Sequence, residues 1–293
     1  MLNFLLALKN VFWASKPQAA TKRPKIDLMD DSPQPLYPDV IELSEPAYRL
    51  SLLLRENPND CLLRVGLNSN GLYYQNPKQL PAIPHLLENL GLENPFGQER
   101  LLPKTWLNDN CIKRFGDKLA CLYEDFKMLD SLEMSEHQLD KRIKSKKHKV
   151  KVGKEDLQAK NKLAYGFSTG DHWFAIMMDL TDKKNIKIFC TDSLNQVQSH
   201  AKILQTAKKY LGWLHPEVKR IQTQSLKIPH QGNPYDCGVA VGLIIELFAK
   251  GALKKDNIRL LANQDGFDYG LFRTHMATLL AMDEPGLKKL NAL

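Results

Sequence analysis

The segment from Gly238 to Lys250, GVAVGLIIELFAK, constrains the fold more than any other part of the sequence. It has the length of a helix and is apolar on all sides. A helix at the surface of a globular protein keeps a polar face, so this helix has to be covered by other elements. A chain of 293 residues can build one such core, with room left for a second small domain or a tail.

A turn-rich stretch from Pro229 to Asp236 precedes this helix, and Cys237 opens it. A thiol at a helix N-terminus lies beside unpaired backbone N–H groups and the positive end of the helix dipole, which favours the thiolate. The same donors can hold an oxyanion that forms next to the sulfur. A lone cysteine is more often an inert small hydrophobe. Cys237 is therefore a candidate nucleophile that needs further residues to support it.

Two predicted strands bring a histidine and an aspartate together. Trp173 to Leu180 and Ile186 to Cys190 read as strands around a polar turn. His172 opens the first strand, and Asp192 lies just beyond the end of the second. If the strands pair antiparallel, both side chains meet at one end of the sheet. A nucleophilic cysteine needs a histidine base, and the histidine needs an acceptor that holds its tautomer.

Gln231 completes the set, because its amide lies six residues before Cys237 and could donate to the oxyanion. Taken alone, His172 is better explained as a surface histidine and Asp192 as a turn former. The four residues in this order, on these elements, are not well explained in that way. The sequence thus predicts a thiol hydrolase.

Four short motifs resemble the SUMO/ubiquitin-like-specific cysteine proteases (clan CE, Ulp-type). Each motif alone is weak, but together they follow the order of the family. They cover the chain from Trp106 to about Phe248, and the segment between Asn110 and Gly170 matches poorly. The motifs are Trp106-Leu-Asn-Asp109, Asp171-His172-Trp173, Phe189-Cys-Thr-Asp192-Ser-Leu194 and Gln231-Gly-Asn233-Pro-Tyr-Asp-Cys237-Gly238.

The resemblance implies an α+β, papain-like fold with a central mixed sheet flanked by helices. It implies cleavage after the C-terminal Gly-Gly of a ubiquitin-like modifier, without cofactor or metal. The implied catalytic residues are His172, Asp192 and Cys237, and the implied oxyanion donors are Gln231 and the backbone of Cys237.

The resemblance also implies four substrate-binding residues. Trp173 would roof a narrow tunnel that admits only two glycines, and Trp106 and Asp109 would line the approach and touch the modifier. Asn233 belongs to this group through the nucleophile motif. Two alternatives remain open: Trp106 as a core aromatic near a helix start, and Asp109 as an N-cap.

The expected partners are conjugates of ubiquitin or a ubiquitin-like modifier, with ubiquitin as the first choice, SUMO close behind, and NEDD8 as a further candidate. One competing hypothesis is an effector acetyltransferase that uses the same cysteine. Such enzymes usually have glutamate as the third catalytic residue, so Asp192 favours the protease. Another is a binding module without catalysis, against which the intact set of four residues argues.

A basic run distinguishes this chain from the family pattern. Lys141 to Lys154 contains eight basic residues and no acid, which leaves 33 basic against 33 acidic residues elsewhere. The run reads as a solvated loop. The functional alternative is a contact with an acidic surface or with nucleic acid, including a nuclear localisation patch. Without interleaved aromatics it does not predict specific nucleic-acid binding.

The composition divides the chain into segments. Residues 1–16 form an amphipathic, hydrophobic N-terminal segment, which either touches a membrane peripherally or packs on the domain. Residues 17–39 form a Pro-rich linker. Residues 40–100 are an N-terminal extension that can belong to the domain. Residues 101–293 are the catalytic domain, with a basic insertion near 139–162.

Five cysteines without a CxxC pair indicate an intracellular, reducing compartment. No apolar run reaches the roughly 18 residues that a membrane span needs. We expect a monomer. The divergence outside the motifs and the hydrophobic N-terminal segment suggest a bacterial effector that is secreted into a eukaryotic host cell.

Overall fold

The computed structural model describes most of the chain after residue 43. The described ranges are 44–68, 70–89, 99–132, 134, 151–194, 200–254, 258–261 and 267–291. Contacts divide the chain into residues 1–40 and 41–293, and everything described below belongs to the second unit. The predictions for segments 1–16 and 17–39, and for the basic run up to residue 150, lie outside the described residues.

Within these ranges the chain forms ten α-helices and seven strands. The helices are α1 Glu45–Glu56, α2 Pro58–Cys61, α3 Ile83–Asn89, α4 Asp109–Leu122, α5 Lys151–Gln158, α6 His200–Leu214, α7 Cys237–Ala249, α8 Ile258–Leu261, α9 Tyr269–Ala281 and α10 Glu284–Asn291. The strands are β1 Arg64–Asn68, β2 Gly71–Gln75, β3 Phe126–Met128, β4 Lys162–Ser168, β5 Trp173–Asp179, β6 Asn185–Asp192 and β7 Arg220–Lys227. A 3₁₀ turn spans Glu99–Leu101.

Five of the strands form one mixed sheet in the order β3-β4-β5-β6-β7. The β4–β5 and β5–β6 pairs are antiparallel. The β3–β4 and β6–β7 pairs at the two edges are parallel. Helices lie on both faces of this sheet. The predicted α+β class with a central mixed sheet is confirmed.

The apolar helix predicted over Gly238 to Lys250 is α7, and all thirteen of its residues are buried. It packs on β5 with one side and on α4 and α9 with others. On the opposite face of the sheet, α6 packs on β6 and β7. The sheet therefore separates two hydrophobic cores, and the helix without a polar face lies inside the larger one.

Strand β5 shows how the sheet serves both cores. Trp173, Ala175 and Met177 belong to the core around α7, whereas Phe174 and Ile176 belong to the core around α6. Successive side chains of a strand point to opposite faces, so a strand covered on both faces reads as a continuous apolar run. This explains why the sequence of β5 lacks polar alternation.

The hairpin predicted from Trp173 to Cys190 is confirmed, with one correction at its end. Strands β5 and β6 pair antiparallel with Ala175 opposite Thr191. Strand β6 continues to Asp192, so Asp192 is its last residue and does not lie beyond it. The continued pairing of β6 with β7, up to Asp192 opposite Lys227, keeps these last residues in the sheet.

The segment before the motifs contributes to the larger core. Leu54 of α1, Leu86 of α3 and Leu101 are almost fully buried in the same cluster as α7. Strands β1 and β2 form a separate antiparallel hairpin. Among the described helices, none has both the length and the apolar character needed to cross a membrane.

The end of the basic run is helical, so the interpretation of the whole run as a loop is wrong from residue 151 onwards. Lys154 lies in α5, and its Nζ donates to the carbonyl oxygen of Trp213, 2.9 Å away. The same ammonium lies 5.1 Å from the centre of the Trp213 ring, within the range of a cation–π contact. These contacts attach α5 to α6. All five cysteines of the chain are free thiols.

Candidate active site

The β5–β6 hairpin places His172 beside Asp192 at one end of the sheet. The Nε2 atom of His172 lies 2.6 Å from Oδ1 of Asp192, whose side chain is fully buried. The backbone N–H of Leu194 donates to the same oxygen over 2.8 Å. The Phe174 ring meets the imidazole edge-on, with ring centres 4.8 Å apart. The imidazole is thus held by a hydrogen bond and by packing.

Cys237 is the second partner of His172. Since Nε2 faces Asp192, Nδ1 is the ring nitrogen left for Cys237, and the two side chains are hydrogen-bonded. Burial lowers the pKa of His172, but the hydrogen bonds to Asp192 and Cys237 and the charges of both outweigh it. The net result raises this pKa from 6.5 to about 9. The site therefore favours the imidazolium at neutral pH.

The backbone at Cys237 is closely packed. Cys237 is the first residue of α7 and is buried. A Cβ added to Gly238 would lie 2.8 Å from Cβ of Leu107, which is too close for two carbon atoms. Only glycine at this position lets the start of α7 approach the segment that precedes α4. The helix start and its N–H groups thus lie against Leu107.

Gln231 is buried, and neighbouring groups fix its amide. Its Oε1 accepts a hydrogen bond from the Ser193 hydroxyl, and its Nε2 donates to the carbonyl oxygen of Asn233 over 2.7 Å. The backbone N–H of Gln231 also donates to the Ser193 carbonyl, 3.2 Å away. These bonds attach the loop from Pro229 to Asp236, called the nucleophile loop after the candidate nucleophile that follows it, to the end of β6. The second amide N–H of Gln231 has no acceptor among the described residues and stays available as a donor.

Asn233 holds the nucleophile loop together. Its Oδ1 accepts hydrogen bonds from the backbone N–H groups of Tyr235, at 3.1 Å, and Asp236, at 3.0 Å. Its Nδ2 donates to Oδ2 of Asp236 over 2.8 Å. The side chain predicted to bind substrate is therefore engaged within its own loop. It also lines a different cavity from the other three predicted substrate-binding residues.

Trp106, Asp109 and Trp173 line one open groove of about 710 Å³. Trp106 is 36% exposed, so it is not a core aromatic. Asn108 caps α4, with its side chain accepting from the N–H of Cys111 over 2.9 Å. Asp109 is the first residue of the helix, so the N-cap alternative is wrong for it. The structure thus brings these three residues together, whereas Asn233 lies apart.

Two residues that line the groove, Trp173 and Leu107, connect it to His172 and Cys237. The Trp173 indole N–H donates to the carbonyl oxygen of Leu107 over 3.0 Å. Trp173 follows His172 in the chain, and Leu107 packs on Gly238 beside Cys237. A chain lying in this groove would therefore have its end near the thiol and the imidazole.

Sequence reasoning missed one residue that holds the site. Arg273 of α9 is 2% exposed, and its Nη2 donates to Oδ1 of Asp236 over 2.6 Å. A signal was present in the sequence, because an arginine within the largely apolar stretch from Leu271 to Met282 has no place in a core unless it is paired. Its partner could not be identified from the sequence.

The site and the fold together are those of a papain-like cysteine peptidase. The thiol lies at the start of a buried helix, and the imidazole lies on the adjoining sheet. Residues 111–282, more than half of the chain, match the C-terminal catalytic domain of the Ulp1 protease family. The chain belongs to the Ulp1 protease family. No curated protein matches the sequence.

Solved structures share the fold at low sequence identity. The SUMO protease Ulp1 with its catalytic cysteine oxidised to a sulfonic acid is 20% identical, with a TM-score of 0.51, over 83% of this chain and 98% of that one. The Ulp1 protease domain in complex with SMT3, the yeast ortholog of SUMO, is 20% identical, with a TM-score of 0.50, over 83% of this chain and 97% of that one. The Xanthomonas campestris effector XopD bound to ubiquitin is 21% identical, with a TM-score of 0.44, over 64% of this chain and 97% of that one.

Proposed function

We propose that this chain is an isopeptidase that cleaves after the C-terminal Gly-Gly of ubiquitin or a ubiquitin-like modifier. Cys237 is the nucleophile, His172 is the base and then the acid, and Asp192 orients His172. The observation that carries the proposal is that one imidazole hydrogen-bonds both Asp192 and Cys237 beside the groove. Membership of the Ulp1 protease family supports the same reaction.

Acylation begins from the thiolate of Cys237 and the imidazolium of His172. The sulfur attacks the carbonyl carbon of the last modifier glycine, and the carbonyl oxygen takes up the electron pair. When the tetrahedral intermediate collapses, the C–N bond breaks and the imidazolium gives its proton to the leaving lysine amine. The modifier is then held as a thioester on Cys237, and His172 is neutral.

Deacylation uses the same groups in reverse. Neutral His172 takes a proton from a water molecule, whose oxygen attacks the thioester carbonyl. Collapse of the second intermediate breaks the C–S bond, restores the thiolate with the imidazolium, and releases the modifier as a carboxylic acid that loses its proton to solvent. Asp192 stays ionised throughout and keeps Nε2 protonated, so that Nδ1 is the atom that moves the proton.

Two groups are proposed to stabilise the oxyanion of both intermediates. The backbone N–H of Cys237 is one of the unpaired donors at the start of α7. The free N–H of the Gln231 amide is the second donor. Its amide is fixed by Ser193 and by the Asn233 carbonyl, so it needs no reorganisation when the oxyanion forms.

The groove supports a thin, extended substrate. Trp106 and Trp173 provide aromatic walls, and the Trp173–Leu107 hydrogen bond closes the side next to the thiol. Two glycines have no side chains, so selectivity can come from steric exclusion. Asp109 adds a carboxylate to the groove.

The modifier is proposed to be ubiquitin or SUMO. The sequence favours ubiquitin for a host-directed effector. Ulp1, which shares the fold, was solved bound to the yeast ortholog of SUMO, which supports SUMO as the alternative. The acetyltransferase hypothesis gains no support from the described residues, because the third residue is Asp192 and most of the basic run lies outside them.

Probes with a C-terminal electrophile on ubiquitin, SUMO and NEDD8 test this proposal. We expect a covalent adduct with at least one probe in the full chain, seen as a mass shift. Cys237→Ala should abolish the adduct, whereas Cys121→Ala, which removes the exposed cysteine, should not. The absence of an adduct with every probe, together with acetyl transfer from acetyl-CoA, would show the proposal to be wrong.

A further inference from the structure

Arg273 is a buried cation in a helix that otherwise packs in the core. The burial of its side chain is nearly complete, at 2% exposure. Removing a guanidinium from water costs several kcal/mol unless an opposite charge and hydrogen-bond acceptors compensate for it. The groups that compensate Arg273 therefore indicate what it does.

The Arg273 guanidinium joins two separate segments of the site. On one side, Nη2 donates to Oδ1 of Asp236 at 2.6 Å and to the Tyr235 carbonyl at 3.4 Å. On the other side, Nη1 donates to the carbonyl oxygens of Arg100, at 3.1 Å, and Leu102, at 3.4 Å. The first segment ends at Cys237, and the second leads to the groove residue Trp106. One planar group therefore holds the nucleophile loop against the wall of the groove.

The charge of Asp236 makes this pairing chemically relevant. Asp236 directly precedes Cys237 and is 5% exposed. A buried carboxylate beside a thiol disfavours the thiolate, because the two negative charges repel each other in a medium of low dielectric constant. The charge of Asp236 also acts on Tyr269. The pKa of Tyr269 is raised, first by burial and second by this charge. The Arg273–Asp236 ion pair removes most of this opposing charge.

We propose that Arg273 is a positioning residue for the reaction, an inference that rests on the proposed function of Cys237. It cancels the charge of Asp236, the residue that directly precedes Cys237. It also keeps the stretch from Arg100 to Leu102 aligned with the start of α7, so that the groove leads to the thiol.

Four charged groups surround Cys237 on different elements. His172 approaches from the start of β5, with Asp192 of β6 behind it. Asp236 lies in the nucleophile loop, and Arg273 faces it from α9. Substitutions at Asp236 and Arg273 leave both residues of the first pair, His172 and Asp192, unchanged.

The pH dependence of Cys237 alkylation by iodoacetamide tests the electrostatic part without any substrate. The rate is followed at Cys237 by peptide mass spectrometry, and its pH profile reports the thiol pKa. Arg273→Met leaves Asp236 unpaired and should move the profile to higher pH by about 1 pH unit, or about tenfold less thiolate at a pH below the pKa. Asp236→Asn leaves Arg273 unpaired and should move the profile to lower pH.

The double variant Arg273→Met with Asp236→Asn is the control. It carries neither charge, so its alkylation profile should return to within about 0.3 pH unit of the wild type. Loss of packing alone would move both single variants in the same direction and would not be reversed in the double variant. Equal profiles for all four proteins, or shifts of the same sign in the two single variants, would overturn the proposal.

The alignment role is read from kinetics on the modifier that reacts in the probe assay. Arg273→Lys keeps the charge but loses the fork that reaches both segments. We expect an alkylation profile close to the wild type and a KM raised about tenfold, with a smaller change in kcat. An unchanged KM would contradict the alignment role. Failure of every modifier probe would refute the proposed function, whereas the alkylation shifts would still decide the role of Arg273.

Discussion

The indole N–H of Trp173 donates a hydrogen bond to the carbonyl oxygen of Leu107 across 66 positions of sequence, at 3.0 Å. Trp173 follows His172, and the Leu107 side chain packs on Gly238 next to Cys237. This bond therefore ties the strand that carries the imidazole to the segment that packs on the helix carrying the thiol. Both partners also line the groove.

Replacing Trp173 by phenylalanine should test this bond, because it keeps an aromatic wall and removes the donor. We expect a stability loss of about 1 kcal/mol in urea unfolding, typical of one lost hydrogen bond. We expect kcat/KM on the reactive modifier to fall about tenfold, since small displacements of the groove misplace the scissile bond. Trp213→Phe, on α6, is the matched control and should keep full activity. Equal losses in both variants would contradict a special role for the bond.

Gly238→Ala should disturb the site through packing alone. The new Cβ would lie 2.8 Å from Cβ of Leu107, so either Leu107 or the start of α7 has to move. We expect the rate constant of acylation, measured in a single-turnover experiment, to fall at least about tenfold. Gly212→Ala is the control, because a Cβ there meets no atom within 4 Å. That variant should keep its activity and be as stable as the wild type or slightly more so. Full activity in Gly238→Ala would show that the close approach is not needed.

Asp192→Asn should change the pH dependence of stability as well as activity. The folded pKa of His172 is raised to about 9 from 6.5, so its contribution is fully present below about 6.5 and is lost as pH rises through about 9. At 1.36 kcal/mol per pH unit, the largest possible contribution is about 3 kcal/mol. The variant loses the acceptor of His172, so its unfolding free energy should fall less between pH 6 and 9.

The activity of Asp192→Asn should fall roughly 100-fold or more, because the tautomer of His172 is no longer fixed. Asp179→Asn, at the other end of the same hairpin, is the control and should keep both the wild-type pH slope and the activity. The prediction fails if Asp192→Asn retains the wild-type slope of unfolding free energy against pH.

Ser193→Ala should act only through Gln231. The Ser193 hydroxyl donates to the Gln231 amide oxygen, and its loss frees the amide to rotate. We expect acylation to slow about tenfold, less than in Gln231→Ala, where removal of an oxyanion donor costs about 100-fold or more. In a double-mutant cycle, Ser193→Ala added to Gln231→Ala should have little further effect. If the double variant instead lost acylation rate by the product of the two single losses, Ser193 would act independently of Gln231.

The buried cluster around Glu246 should govern stability at acid pH. Burial raises the pKa of Glu246, but the charges of His275 and Lys250 and their hydrogen bonds outweigh it, and the pKa falls to about 2 from 4.5. Its stabilising contribution is present above about pH 4.5 and is lost as pH falls through about 2. Glu246→Gln should destabilise the protein by about 3 kcal/mol at pH 7, measured by urea unfolding. Glu284→Gln, from the exposed pair with Lys288, is the control and should leave the stability close to that of the wild type.

Local sequence patterns determined the elements that carry the chemistry. The apolar run that starts after Cys237 required a covered helix, and the two strands after His172 required a hairpin with Asp192 at its far end. These predictions succeeded because periodicity and turn residues act over short distances, and the next strand or helix follows directly in the chain. Even the end of β6 was placed only two residues too early.

Other relationships depend on contacts between distant parts of the chain. Ser193 meets Gln231 from 38 positions away, and Arg273 meets Asp236 from 37 positions away. Such pairs follow from how helices and strands pack, and no spacing rule in the sequence encodes them. The same is true of Leu54 and Leu86, which complete the core around α7 from outside the motifs.

By itself, the sequence determined that Cys237 opens a buried helix and that His172 and Asp192 share one end of a hairpin. Only the tertiary structure decided that one imidazole reaches both the thiol and the carboxylate, and that Asn233 turns into its own loop rather than into the groove. The physical reason is that local propensities specify elements, whereas the burial of charges and the close packing of Gly238 on Leu107 specify how those elements meet.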